Sequence, residues 1–183
     1  DMINVFKTDG SQAEGWPLYI STNGAVSLTA GDVNNDGKKE VIALVTTVND
    51  NYICILDYRG NRVYSKYLGY NSNPLYGQGS IVLDDLDCDG YLEIISQPDG
   101  AKLYVLNYKG GILWSKAFKN SDSLQPYKCP AVADLDGDGR KEIIKNLEVD
   151  DVTDQAGHTS GSLIVLNYDG TEKWRKDWPD EPV

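Results

Sequence analysis

Three short stretches of the chain set carboxylates at alternate positions, then close on a glycine and a more distant glutamate. They read Asp32-Val-Asn34-Asn-Asp36-Gly37-Lys38-Lys-Glu40, Asp85-Leu-Asp87-Cys-Asp89-Gly90-Tyr91-Leu-Glu93 and Asp134-Leu-Asp136-Gly-Asp138-Gly139-Arg140-Lys-Glu142. Alternation gathers the side chains of positions one, three and five around one point, and the glycine at position six permits a sharp turn. An oxygen-only donor set of this kind suits Ca²⁺, a hard cation that takes about six to eight oxygens at about 2.3–2.6 Å. The predicted ligands are the side chains of Asp32, Asn34, Asp36 and Glu40, of Asp85, Asp87, Asp89 and Glu93, and of Asp134, Asp136, Asp138 and Glu142. Position seven would add the backbone carbonyls of Lys38, Tyr91 and Arg140, and the glutamate at position nine would close the shell. A helix–loop–helix site closes at position twelve between helical flanks, whereas these flanks are strand-like, so a calcium loop within a β-hairpin fits better. One such stretch also describes an ordinary solvated Asp-Gly turn; three copies, each with its closing glutamate, favour three Ca²⁺ sites. Asn34 removes one ligand charge from the first loop, which is therefore expected to bind most weakly. The expected role is structural: clustered carboxylates repel, and an ion turns that repulsion into a cross-link.

The elements that position these loops repeat with them. The loops begin at 32, 85 and 134, a period of 53 and then 49 residues. A second landmark recurs in step: Ile53-Cys-Ile-Leu-Asp57-Tyr58-Arg-Gly60, Leu103-Tyr-Val-Leu-Asn107-Tyr108-Lys-Gly110 and Leu163-Ile-Val-Leu-Asn167-Tyr168-Asp-Gly170. Four residues past each glycine stands an aromatic: Tyr64, Trp114 and Trp174. Ile3-Asn-Val-Phe-Lys-Thr-Asp9-Gly10, with Trp16 beyond it, resembles this second half alone. Each unit reads as four short strands: one into the acidic loop, one out of it, one into the Asx-Tyr-x-Gly turn and one carrying the aromatic. No segment carries a helical period. The fold class is therefore all-β, with four-stranded propeller-type blades numbering about 3.5. The chain reads as a single repeat domain over 1–183: a half blade at 1–22 and blades at 23–70, 71–120 and 121–183. The polar stretch 148–161 is expected to form a loop inserted in the last blade. Closed propellers begin at about four blades, so the expected partners are further blades in the same polypeptide or neighbouring identical subunits. Trp114, Trp174 and Tyr64 share one blade position, which favours packing between blades; Trp16 and Trp178 are placed near blade edges with no assigned role.

Composition narrows the function. The chain has 183 residues, enough to bury a core, and a formal charge of −11. That charge argues against nucleic acid, which requires a basic face. Eleven of the carboxylates lie in the three loops, and three Ca²⁺ would offset about half of the net charge. No apolar run approaches the roughly 18 residues of a membrane span. A chain opening on Asp1 rather than methionine reads as a processed protein or an excised segment. Cys54, Cys88 and Cys129 form no metal or redox pattern and are expected as unpaired, buried, small apolar residues.

The stretches Ala30-Gly-Asp-Val-Asn-Asn-Asp-Gly-Lys-Lys-Glu-Val-Ile42 and Val132-Ala-Asp-Leu-Asp-Gly-Asp-Gly-Arg-Lys-Glu-Ile-Ile144 resemble the signature of the FG-GAP/VCBS repeat family, the calcium-loop blades of integrin α-subunit propellers and many secreted bacterial proteins. The resemblance implies a Ca²⁺-binding propeller in an extracellular or periplasmic setting. It implies no activity, since such blades serve adhesion, carbohydrate binding and enzyme scaffolds alike. A weaker resemblance links the last unit, Asp134 to Trp174, to the blades of propeller-type rhamnogalacturonan lyases. A lyase needs a base and charge stabilisation beside an acidic sugar; the sole histidine, His158, lies near Asp150, Asp151 and Asp154 in a polar stretch that reads more simply as a loop. No residue is assigned a catalytic role. The reading is thus a non-catalytic, calcium-stabilised extracellular module for structure, adhesion or assembly, with part of a polysaccharide lyase or hydrolase, or a carbohydrate-binding module, as the alternative.

Overall fold

The structure is a computed structural model, and it describes residues 1–20, 24–70, 79–98, 102–118, 129–150 and 159–178. His158 lies outside the described residues. Fourteen strands make up the described chain, and no helix is found among these residues. A two-stranded sheet comes first, from β1 (Met2–Ile3) and β2 (Leu18–Tyr19). Three four-stranded antiparallel meanders follow. The first holds β3 (Gly24–Gly31), β4 (Glu40–Thr47), β5 (Asp50–Leu56) and β6 (Arg62–Tyr70). The second holds β7 (Ser80–Asp84), β8 (Glu93–Gln97), β9 (Lys102–Leu106) and β10 (Ile112–Ala117). The third holds β11 (Ala131–Ala133), β12 (Glu142–Asp150), β13 (Thr159–Leu166) and β14 (Glu172–Trp178). These are three blades preceded by the outer half of another.

The second and third strands of the first two blades are buried almost throughout, because both faces of those sheets are covered. Successive residues point to opposite neighbours. In the first blade Val41, Cys54 and Leu56 pack on the half blade, while Ile42, Ile53 and Ile55 pack on the second blade. In the second blade Ile94 and Leu106 face back, and Ile95, Leu103 and Val105 face forward. Ile143, Ile164 and Leu166 of the third blade continue the pattern. The hydrophobic core is therefore three cores, each lying between consecutive units. Each fully buried Ile or Leu contributes about 1.5–3 kcal/mol; the two later joints hold several, and the first holds Leu56 with Ile3.

Two expectations need correction. The stretch 148–161 is not all loop, because β12 runs on through Asp150 and β13 begins at Thr159, with Asp150 paired to Thr159. Of the cysteines, Cys54 is buried in a core, but Cys88 and Cys129 are exposed; all three are free thiols. Cys88 stands at a left-handed position of the second acidic loop, outside the strands that bury the core.

Candidate metal loops

Each acidic loop joins the first two strands of its blade, and the three fold alike. The first aspartate accepts the backbone N–H of the glycine at position six: Gly37 to Asp32 Oδ2 at 2.8 Å, Gly90 to Asp85 Oδ2 at 3.0 Å, Gly139 to Asp134 Oδ2 at 3.0 Å. The position-five aspartate accepts the N–H of position seven, at 2.8 Å from Lys38, Tyr91 and Arg140 alike. The glutamate at position nine reaches back to the N–H of position two: Val33 to Glu40 at 3.1 Å, Leu86 to Glu93 at 2.9 Å, Leu135 to Glu142 at 2.8 Å. These contacts curl the backbone so that carboxylates converge. Oxygens of Asp85, Asp87 and Glu93 lie within 4.8 Å of one another, as do those of Asp134, Asp136 and Glu142. In the first loop the amide of Asn34 stands where the other two carry an aspartate, and its Oδ1 accepts the Asp36 N–H at 3.0 Å.

The turn demands two left-handed residues per loop, where sequence reasoning foresaw one. Position six is glycine throughout, with φ of 84°, 90° and 92°. Position four is also left-handed: Asn35 at 56°, Cys88 at 65° and Gly137 at 79°. Asparagine tolerates that region better than cysteine does. Cys88 is compensated by a bond across the joint, its thiol donating to the Gly139 carbonyl at 2.6 Å.

The glutamates are the buried members of each set, only 4%, 4% and 3% exposed for Glu40, Glu93 and Glu142. Burial pushes the Glu93 carboxyl up to about 7, helped by Asp87, Asp89 and Asp85 and opposed by the Leu86 N–H. Glu40 is pushed up by the same cause, with Asp36 and Asp32 adding to it. A buried carboxylate among carboxylates is a site short of positive charge, which is the condition a divalent cation relieves. The third loop differs. Lys173 reaches into it, bonding Asp136 and lying 2.9 Å from Glu142 Oε1. It is the one loop whose ligand carboxylates pair with a lysine among the described residues. Lys173 gets there through a β-bulge: the register of β13 and β14 slips between Val165↔Trp174 and Leu166↔Glu172. The same slip leaves Val63 and Leu113 as the bulged residues of the other blades. There the residue is apolar, so it offers the loop no charge.

Position seven does more than offer a carbonyl. Its side chain lies on the tyrosine of the Asx-Tyr-x-Gly turn in every blade. Lys38 Nζ sits 4.9 Å from the Tyr58 ring, Tyr91 stacks on Tyr108 at 4.5 Å, and the Arg140 guanidinium lies 4.5 Å from the Tyr168 ring. Cations and aromatics are the two classes that favour a ring face, and both positions repeat in the sequence, so the pairing was open to discovery there.

Loops of neighbouring blades are also tied together. The N–H at position eight bonds the carbonyl at position two of the preceding loop: Leu92 to Val33 at 3.2 Å and Lys141 to Leu86 at 2.9 Å. Lys141 also pairs with Asp84, just before the second loop.

A model of the FG-GAP-like repeat matches residues 85–144, from the first ligand of the second loop to the strand that leaves the third. Among solved structures, the chain is similar to a rhamnogalacturonan lyase of Bacillus licheniformis, at TM-score 0.59 and 18% identity, covering 95% of this chain and 36% of that one. The likeness is one of fold, and the chain spans about a third of that enzyme's length. A protein of unknown function from Bacteroides caccae aligns at TM-score 0.49 and 11% identity, over 96% of this chain and 53% of that one. BamB from Moraxella catarrhalis aligns at TM-score 0.38 and 13% identity, over 93% and 69%. No curated protein matches the chain in sequence. The match spans the second and third loops, and the first repeats their backbone contacts with Asn34 in place of an aspartate.

Proposed function

We propose that this chain is a non-catalytic, Ca²⁺-stabilised propeller segment that serves outside the cell as a structural, adhesion or assembly module. The observation that carries the reading is one loop geometry in all three blades, a buried glutamate bonding the position-two N–H each time, with carboxylates converging in the second and third loops. Ca²⁺ would be held by the side chains at positions one, three, five and nine and by the carbonyl at position seven. It would supply charge neutralisation and a rigid link between the strands each loop joins. FG-GAP-like repeats are generally calcium-binding and typical of extracellular proteins, which supports both the metal and the setting. No helix among the described residues is long and apolar enough to cross a membrane. Melting the protein in Ca²⁺ and again in chelator tests the reading: the transition should rise with Ca²⁺, and an unmoved transition contradicts it.

A second reading is favoured by the likeness to the Bacillus lyase. In it the chain is part of a polysaccharide lyase propeller, or binds such a glycan, and a cavity lined by Tyr58, Tyr64, Tyr108, Asp57 and Lys109 beside the first loop offers hydroxyl and charged groups to a sugar. Incubation with pectic polysaccharide in Ca²⁺ distinguishes the two. Growth of absorbance at 235 nm supports the lyase, and silence there together with a blank glycan array leaves the structural module.

A further inference from the structure

The joints between units share a construction that the two ends of the chain each half complete. At an interior joint, the aromatic of one unit's last strand covers the turn glycine of the next. Trp16 lies against Gly60, and its indole N–H donates to the Tyr58 carbonyl at 3.2 Å. The Tyr64 ring lies against Gly110. Trp114 lies against Gly170 and donates to the Tyr168 carbonyl at 2.9 Å. Trp174 is the next member of this series, and it is 45% exposed. Leu135, the counterpart of Val33 and Leu86, is 47% exposed where those two are 1% exposed.

At the other end stands the matching acceptor. The turn from Lys7 to Gly10 is built like the three others: Gly10 N–H bonds the Lys7 carbonyl at 3.0 Å and Lys7 N–H the Ser11 carbonyl at 2.8 Å. The equivalent pairs are Gly60 with Asp57, Gly110 with Asn107 and Gly170 with Asn167. Gly10 has φ +82°, as Gly60 has +80° and Gly170 +84°. Yet a Cβ on Gly10 meets nothing within 4 Å, whereas one on Gly60, Gly110 or Gly170 meets the preceding unit's ring. Phe6 occupies the place of Leu56, Leu106 and Leu166, which are fully buried, and is 61% exposed. One end therefore presents an unseated aromatic with a half-buried apolar row behind it (Ile144 and Leu163), and the other presents an open turn with exposed Phe6 beside it.

We propose that a second copy of the chain fills this joint head to tail, Trp174 of one copy seated on the Gly10 turn of the next. This rests on the assembly-module reading above. The indole N–H of Trp174 would donate to the Thr8 carbonyl, the counterpart of the Tyr58 and Tyr168 carbonyls, and Phe6 would enter the apolar row of the third blade. The half blade has no acidic loop, so the joint is made by outer strands. A surface that differs on the two partners is heterologous, and its repetition gives rings or filaments rather than a closed twofold dimer.

Sedimentation velocity in Ca²⁺, from about 1 µM to about 1 mM as befits a weak interface, tests it. The full chain should shift from monomer to dimer and larger species with concentration. Trp174→Ala spoils one end and Phe6→Asp the other, so each alone should stay monomeric. Mixed, they each keep the end the other lacks and should form one-to-one dimers and nothing larger. Gly10→Asn, which tolerates the left-handed turn and fills the seat, should match Phe6→Asp and guards against a misfolded variant. A chain that is monomeric throughout, the result expected where further blades of the same polypeptide cover these faces, or variants that mixing does not restore, overturns the proposal. A Ca²⁺-dependent melting shift that persists in the monomeric variants keeps the calcium reading standing in that case; assembly without such a shift would fail that reading and not this one.

Discussion

At the scale of residues, the three loops are one design with two different charge deficits. Asn34 takes one negative charge from the first loop, and Lys173 brings one positive charge into the third. The second loop alone has its full set of carboxylates and no lysine paired to them among the described residues. It should bind Ca²⁺ tightest, a ranking that places the third loop beside the first as a weak site. Lys173→Leu, which installs the residue type found at Val63 and Leu113, should tighten the third site on the order of tenfold, since a charge-assisted contact no longer competes with the ion. Calorimetric titration with the other two loops disabled reads this directly; an unchanged affinity would mean that Lys173 swings clear. Glu93 gives a pH dependence to the chelated protein. Its folded carboxyl is raised from 4.5 to about 7, so the folded state binds the proton more strongly than the unfolded one. The stability this contributes is present in full below about 4.5 and is lost as pH rises through about 7. In chelator the melting temperature should therefore fall across that window, and Glu93→Gln should flatten the fall.

At the scale of elements, the unit that matters is the joint and not the blade. Gly110 has φ +74°, and a Cβ there would overlap the Tyr64 ring of the preceding blade. Gly110→Ala should cost about 2 kcal/mol or more, backbone strain adding to overpacking. Gly10→Ala has the same strain and no ring to meet, so in dilute solution it should cost about 1–2 kcal/mol. Chemical denaturation of the two variants checks the difference. The same distinction explains what could be read in advance. The ligand pattern, the Asx-Tyr-x-Gly turn and the half-blade at Ile3 to Gly10 are local in sequence, so their spacing revealed loops, hairpins and the count of units. The bulge that aims Lys173 at its loop, the left-handed Cys88 and the thiol bond to Gly139 depend on backbone register or on a partner 51 residues away. Trp174 shares its position with Tyr64 and Trp114 yet is 45% exposed, because no described unit lies against it. Trp16, left without a role, proved to be the member of that series that packs on the first blade.

At the scale of the whole molecule, three cores shared between four units leave the metal loops as clamps along one end of the stack, bonded to one another through Leu92 to Val33 and Lys141 to Leu86. An ion bound in one loop would therefore stiffen the joint to the next, and its removal should be felt by more than one blade. The central claim is that Ca²⁺ holds this structure together, and thermal unfolding with and without the ion tests it most directly. One site held at a hundredfold excess over its dissociation constant adds about 2.7 kcal/mol, which for a chain of this size raises the midpoint by about 5–10 °C. Adding Ca²⁺ to the chelated protein should give at least that shift, reduced when Asp85 and Asp87 are both changed to Asn. A midpoint unmoved by Ca²⁺ in the unsubstituted protein would contradict it.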